Sequence, residues 1–132
     1  MTRMFLLSLI WFALAPLAPL LAQEPGAALF QTYCATCHGS DARGDGPTAE
    51  LMAIQPPDLT ALARRHDGTF PTLLIARQID GRDLIPSHGG PMPIFGTFFE
   101  GKDVALKLPS GQPIMVSQPL ADLLAWLEQI QE

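Results

Sequence analysis

Cys34-Ala35-Thr36-Cys37-His38 is the stretch on which the reading of this chain turns, and it holds the only two cysteines of the 132 residues. On a helix, residues three apart lie on neighbouring turns of one face, so the two thiols point the same way. The His38 imidazole follows directly. A disulfide across so short a span removes almost no chain entropy, which argues against a structural staple. A thioredoxin-like redox pair wants a strand before it and a helix after it. Here the helical pattern comes first. Zinc needs two further ligands at suitable spacing, and besides His38 the only histidines are His66 and His88.

The pattern C-x-x-C-H is that of c-type haem attachment. Two thiols at this spacing reach the two vinyl groups along one porphyrin edge and form thioethers. The adjacent imidazole then points under the ring, where a neutral nitrogen binds iron. The expected cofactor is one covalent haem c, tethered by Cys34 and Cys37, with His38 as an axial iron ligand.

The residues before the motif read as a helix. Pro25 suits a first helical turn, no breaker occurs from Ala27 to Cys37, and Gly39 stops the run. Phe30, Tyr33, Cys34 and Cys37 recur at helical spacing and form an apolar stripe. With these residues in view, the chain resembles the class I cytochrome c family. That family places a glycine eight residues before the first attachment cysteine and an aromatic four before it, where Gly26 and Phe30 stand. Residues 119–130 read as an amphipathic helix with Leu120, Leu123, Leu127 and Ile130 on one stripe. Leu123, Trp126 and Leu127 match the family's last helix. The resemblance implies that this helix crosses the first near Gly26 and Phe30.

A six-coordinate haem needs a ligand opposite His38. The candidates are Met52, Met92, Met115, His66 and His88. Met92 lies in Gly89-Gly90-Pro91-Met92-Pro93-Ile94-Phe95-Gly96, where glycines and prolines specify a rigid loop. The segment is similar to the family's methionine loop, so Met92 is the expected axial ligand and His88, four residues away, its rival. Met52 and Met115 read as gap-fillers and His66 as a solvated surface residue. Methionine ligation raises the potential relative to two histidines.

Between the ligands, Gly44-Asp45-Gly46-Pro47 reads as a tight loop. By resemblance, the Pro47 carbonyl would accept from the second nitrogen of His38. Short helices are expected over Thr48–Ile54, from Asp58 or Thr60 to Arg64, and from Thr69-Phe70-Pro71 to Ile79 with Gly81 ending it. Leu74, Ile75 and Ile79 are expected to line an apolar haem pocket. The resemblance covers 26–99 and 119–130. Residues 104–117 depart from it and read as a β-hairpin around Pro109-Ser110-Gly111-Gln112, which must lean on the domain or a partner. The expected fold is all-α, a small class I cytochrome c fold of about four to five short helices around one haem, with this hairpin inserted.

The N-terminal residues differ from the rest. A positive start at Arg3, an apolar run from Met4 to Ala22 and a small residue at Ala22 describe a secretory signal over 1–22, ahead of a domain over 23–132. A retained membrane anchor is the alternative, since the run is long enough to span a bilayer. Either reading exports the domain, to the periplasm or its equivalent. A membrane partner enters only with a retained anchor. The net charge is −5 and the lysines are only Lys102 and Lys107, which excludes a nucleic-acid role.

No acid–base pair or nucleophile constellation stands out, so no catalytic residue is assigned. The expected function is electron transfer by a mobile carrier or by a cytochrome subunit of a redox complex. Its partners would be dehydrogenases, oxidases or other cytochromes. The alternative is a five-coordinate haem enzyme or gas sensor. Acid-acetone extraction of the exported protein should leave its pigment on the polypeptide. Complete removal of the pigment would overturn the haem c reading.

Overall fold

The computed structural model describes residues 24–81 and 92–132. The expected leader at 1–22 lies outside them, as do His88 and the Gly89–Pro91 part of the expected methionine loop. Helix α1 spans Pro25–Tyr33, α2 Ala35–His38, α3 Thr72–Asp80 and α4 Gln118–Gln129. Strands β1 (Asp103–Lys107) and β2 (Pro113–Ser117) form one antiparallel hairpin. The domain is mainly helical with a small two-stranded sheet.

The helix expected to run unbroken to Cys37 is interrupted at Cys34, where φ is −117° and ψ −34°. Its amide still bonds back to the Phe30 carbonyl at 2.8 Å. The chain then turns once more as α2, with Cys34 at its N-cap and Cys37 within it. The intervening segments are tighter than expected. The expected helix over Thr48–Ile54 is a 3₁₀ turn over Ala49–Leu51, and the next is a pair of 3₁₀ turns at Leu59–Ala61 and Arg64–His66. Asp58 caps the first of that pair, its Oδ1 accepting from the Thr60 amide at 2.9 Å and the Thr60 hydroxyl at 2.6 Å. Such short turns suit a chain whose prolines leave too few amides for longer ladders.

Helix α3 ends at Gly81, as its sequence indicates, with φ at +65°. Helix α4 begins one residue before Pro119, and Ser117 caps it through a 3.4 Å bond from the Leu120 amide. Leu120, Leu123, Leu124 and Leu127 bury one face of α4 against Phe30, Phe70, Ile79 and Phe99. The hairpin pairs Val104 with Val116 and Leu106 with Ile114. Leu106, Ile114 and Val116 pack against this same core. The alternation of a strand therefore gives the insertion one inward face, and the hairpin leans on the domain itself.

The pivot is the crossing of α1 and α4. A Cβ on Gly26 would lie 2.1 Å from the Asp122 carbonyl oxygen and 2.7 Å from Trp126 Cβ. Only a hydrogen fits there. Four residues on, the Phe30 and Trp126 rings meet with centroids 4.6 Å apart. Phe30 is 1% exposed, and the partly buried Trp126 covers it from α4. Gly26→Val should force the helices apart and cost about 2 kcal/mol or more. Thermal unfolding of the purified protein checks it, and an unchanged midpoint would refute the crossing.

Candidate functional site

The site begins with the short turn that carries the motif. The Cys34 carbonyl accepts from the Cys37 amide at 3.1 Å and the His38 amide at 2.9 Å. A helix this short leaves its last carbonyls without helical partners. The 39–48 loop folds back and satisfies them. The Thr48 amide bonds Thr36 O at 3.1 Å, the Gly46 amide Cys37 O at 3.2 Å, and the Gly44 amide His38 O at 2.8 Å. The Thr48 hydroxyl also donates to Thr36 O at 2.9 Å and lies 3.4 Å from Cys37 Sγ. Sequence reading missed Thr48, because the long-range bond it makes is not encoded in any local pattern.

Gly46 is a close approach. A Cβ there would lie 2.5 Å from both the Thr36 oxygen and the Cys37 carbonyl carbon. The backbone of the loop thus lies directly on the motif.

Cys34 and Cys37 are both free and half-buried. Burial, helped by the neighbouring Cys37, pushes the Cys34 thiol up to about 11. It is therefore a protonated thiol near neutral pH rather than an activated thiolate, unlike the reactive cysteine of a redox enzyme. Burial likewise holds His38 below its ordinary value, and the Pro57 backbone offsets part of that shift. A histidine kept neutral is in the state that binds metal.

His38 Nδ1 is buried and makes no well-formed hydrogen bond. The Pro57 backbone lies close to the ring. The proline whose backbone lies beside the His38 ring is Pro57, in place of the expected Pro47; both prolines are exposed to solvent. Sequence distance favours Pro47. The fold brings Pro57 in because its loop packs on the loop that follows the motif.

Met92 is half-buried at the edge of the core that Cys34 also borders. The segment after it is held to α3, with the Phe95 amide bonding Ile79 O at 3.0 Å and the Gly96 amide Asp80 O at 2.9 Å. Gln78 Nε2 lies 4.0 Å from Met92 Sδ. An aromatic cluster ties this segment to the motif: Tyr33, next to Cys34, meets Phe99 edge-on at 5.5 Å and Phe95 at 6.3 Å, and Phe95 stacks on Phe99 at 5.6 Å. Of the expected pocket residues, Ile79 is buried, Ile75 half-buried and Leu74 exposed. Met52 is half-buried, whereas Met115 and His66 are exposed.

A model of the cytochrome c family matches residues 23–131. The chain belongs to the cytochrome c family. No curated protein and no solved structure matches it. Cytochromes of this family bind haem c covalently and transfer electrons through its iron. The residues present fit that group: two free thiols, a half-buried imidazole kept neutral and an apolar surround of Phe30, Phe95 and Phe99. Among the described residues of this cytochrome, no cluster of three or more His, Cys, Asp or Glu side chains that could hold a metal ion exists. No described helix is long and apolar enough to cross a membrane.

Gly46→Ala should displace the loop from the motif and leave the Thr36 and Cys37 carbonyls poorly paired. The expected result is a marked loss of haem-bearing protein, read as the ratio of haem absorbance to polypeptide. An unchanged ratio would show that the loop does not hold the motif.

Proposed function

We propose that this cytochrome transfers electrons through one haem c tethered by Cys34 and Cys37, with His38 and Met92 as the two axial iron ligands. The observation that carries the reading is the union of the motif turn with a methionine segment across one apolar core. Cys34, Met92 and Phe95 all border this core, and Tyr33 meets Phe95 at its edge. The attachment of residues 95–96 to the end of α3 supports a fixed approach for the Met92 thioether.

When bound, the haem supplies the iron whose ferrous and ferric states carry the electron. The chain's residues set its working conditions. His38, kept neutral by burial, offers a strong nitrogen donor. A thioether is a softer ligand that favours ferrous iron, and so raises the potential. Phe30, Phe95 and Phe99 exclude water around the site, which acts in the same direction. Six-coordinate iron leaves no position for substrate, in keeping with a carrier or a cytochrome subunit rather than an enzyme with a substrate site of its own.

In this proposal residues 1–22 are a secretory leader, the domain works in the periplasm or an equivalent exported compartment, and its partners are other redox proteins. The acidic balance of the chain favours partners with basic docking faces.

Met92→Ala should open the iron on one face and lower the reduction potential. The ferrous variant should then take up carbon monoxide rapidly while the parent protein resists it. An unchanged visible spectrum and potential in the variant would remove Met92 as a ligand. Rapid uptake by the parent itself would instead favour a five-coordinate haem.

A further inference from the structure

Electron transfer makes no use of the hairpin, and its pairing leaves one edge open. The Gln118 amide bonds Lys102 O at 2.9 Å, and the Leu108 amide bonds Gln112 O at 2.9 Å. Both fall in the register that sets Val104 opposite Val116 and Leu106 opposite Ile114. Along an antiparallel ladder, hydrogen-bonded pairs alternate with non-bonded ones. Val104 and Leu106 therefore spend their amides and carbonyls on β2. Those of Asp103, Ala105 and Lys107 point away from it, along the outer edge of β1. All three residues are exposed, and none of these backbone groups has a hydrogen-bond partner among the described residues.

The two edges of the sheet are not alike. On β2 the outward groups belong to Pro113, Met115 and Ser117. Pro113 has no N–H to offer, and Ser117 is buried where it caps α4. Such an edge resists pairing. On β1 the outward row reads Asp103, Ala105, Lys107, and neither charge has an ion-pair partner among the described residues. Laid antiparallel against its own copy about Ala105, this strand sets Asp103 opposite the second copy's Lys107, and Lys107 opposite its Asp103. The same register brings the free amides and carbonyls of both strands together at three opposed pairs. On the inward face Val104 then lies opposite the second copy's Leu106. A slip of two residues either way opposes Asp103 to Asp103 or Lys107 to Lys107, which repel. Charge thus selects one register.

We propose that β1 is a self-association edge: two copies of this cytochrome pair their β1 strands antiparallel about Ala105, joining the two hairpins into one four-stranded sheet. The same patch serves on both copies, as a two-fold axis requires. The edges left outermost are then both β2, where Pro113 opposes further addition, so the assembly closes at two. Main-chain bonds supply the attraction, and the two crossed charge pairs fix the register. A strand of 5 residues on each side makes a small interface, so the dimer belongs with weak, transient contacts. The proposal stands apart from which residues ligate the iron.

The test uses the exported holoprotein in sedimentation equilibrium from micromolar to millimolar concentration. The parent should pass from monomer to dimer over that range. A parent that stays monomeric throughout would overturn the proposal and leave the edge to an extended strand of another protein. As dimer forms, amide hydrogen exchange should slow most at Asp103, Ala105 and Lys107, whose N–H groups face the free edge. Slowing elsewhere alone would put the dimer on another face and overturn the proposal. Asp103→Lys turns both crossed pairs into lysine against lysine, and Lys107→Asp turns both into aspartate against aspartate. Each variant alone should associate about tenfold more weakly than the parent. Mixed in equal amounts, the two variants regain opposite charges at both pairs, and association should return to the parent's level. Single variants that dimerise like the parent, or a mixture no tighter than its components, would overturn the register. Both substitutions fall on exposed side chains, and the haem spectrum of each variant checks its fold. If either does not accumulate, the parent's exchange pattern decides.

Discussion

The close crossing of α1 and α4 is the constraint on which the other parts depend. With Gly26 against the Asp122 carbonyl, the two backbones approach as near as sterics allow. That approach fixes the direction in which α1 leaves the crossing, and so where its last residues, Tyr33 and Cys34, emerge. It also fixes the opposite end of α4, from which Gln131 reaches the 59–63 turn. Phe30, tilted against Trp126, fills the space beside the crossing. Burying aromatic area in this way contributes a few kcal/mol in a domain whose total stability is only about 5–15 kcal/mol.

Around that frame the protein organises two kinds of surround for the site. On the side of the motif, almost everything is backbone: the amides of Gly44, Gly46 and Thr48 pair the free carbonyls of the α2 turn, and the 56–63 segment packs behind them. Backbone-to-backbone bonds give little freedom, which suits a histidine whose orientation matters. On the methionine side the surround is side chains, chiefly Tyr33, Phe95 and Phe99. Electron transfer needs both features, since rigid ligands and an apolar environment reduce the reorganisation that accompanies a change in iron charge. The hairpin shares its inward face with the same core, and its base is closed by the Gln118 amide on Lys102 O at 2.9 Å. It extends the family frame without interrupting it.

The order of the helices, the capping by Asp58 and the end of α3 at Gly81 were legible because each has a local chemical cause. So were the strands of the hairpin, whose alternation of inward and outward residues survives in the structure. The break at Cys34 was not legible, since no glycine or proline marks it. The turn lengths between Thr48 and His66 were also overestimated, because the pattern of apolar residues is the same for a 3₁₀ turn and a short α-helix.

For the site, the sequence alone determined the chemistry: two cysteines and a histidine at fixed spacing admit one dominant use, and their adjacency in the chain guarantees their adjacency in space. Only the tertiary structure decided what stands behind the histidine. The Pro57 backbone lies beside its ring, Thr48 bonds the Thr36 carbonyl and Gln131 ties the 59–63 turn to α4, and no motif announces any of these. The physical reason is that these partners meet through backbone carbonyls and amides of distant loops. Every residue carries those groups, so composition and spacing hold no trace of which pair will meet until the chain has folded.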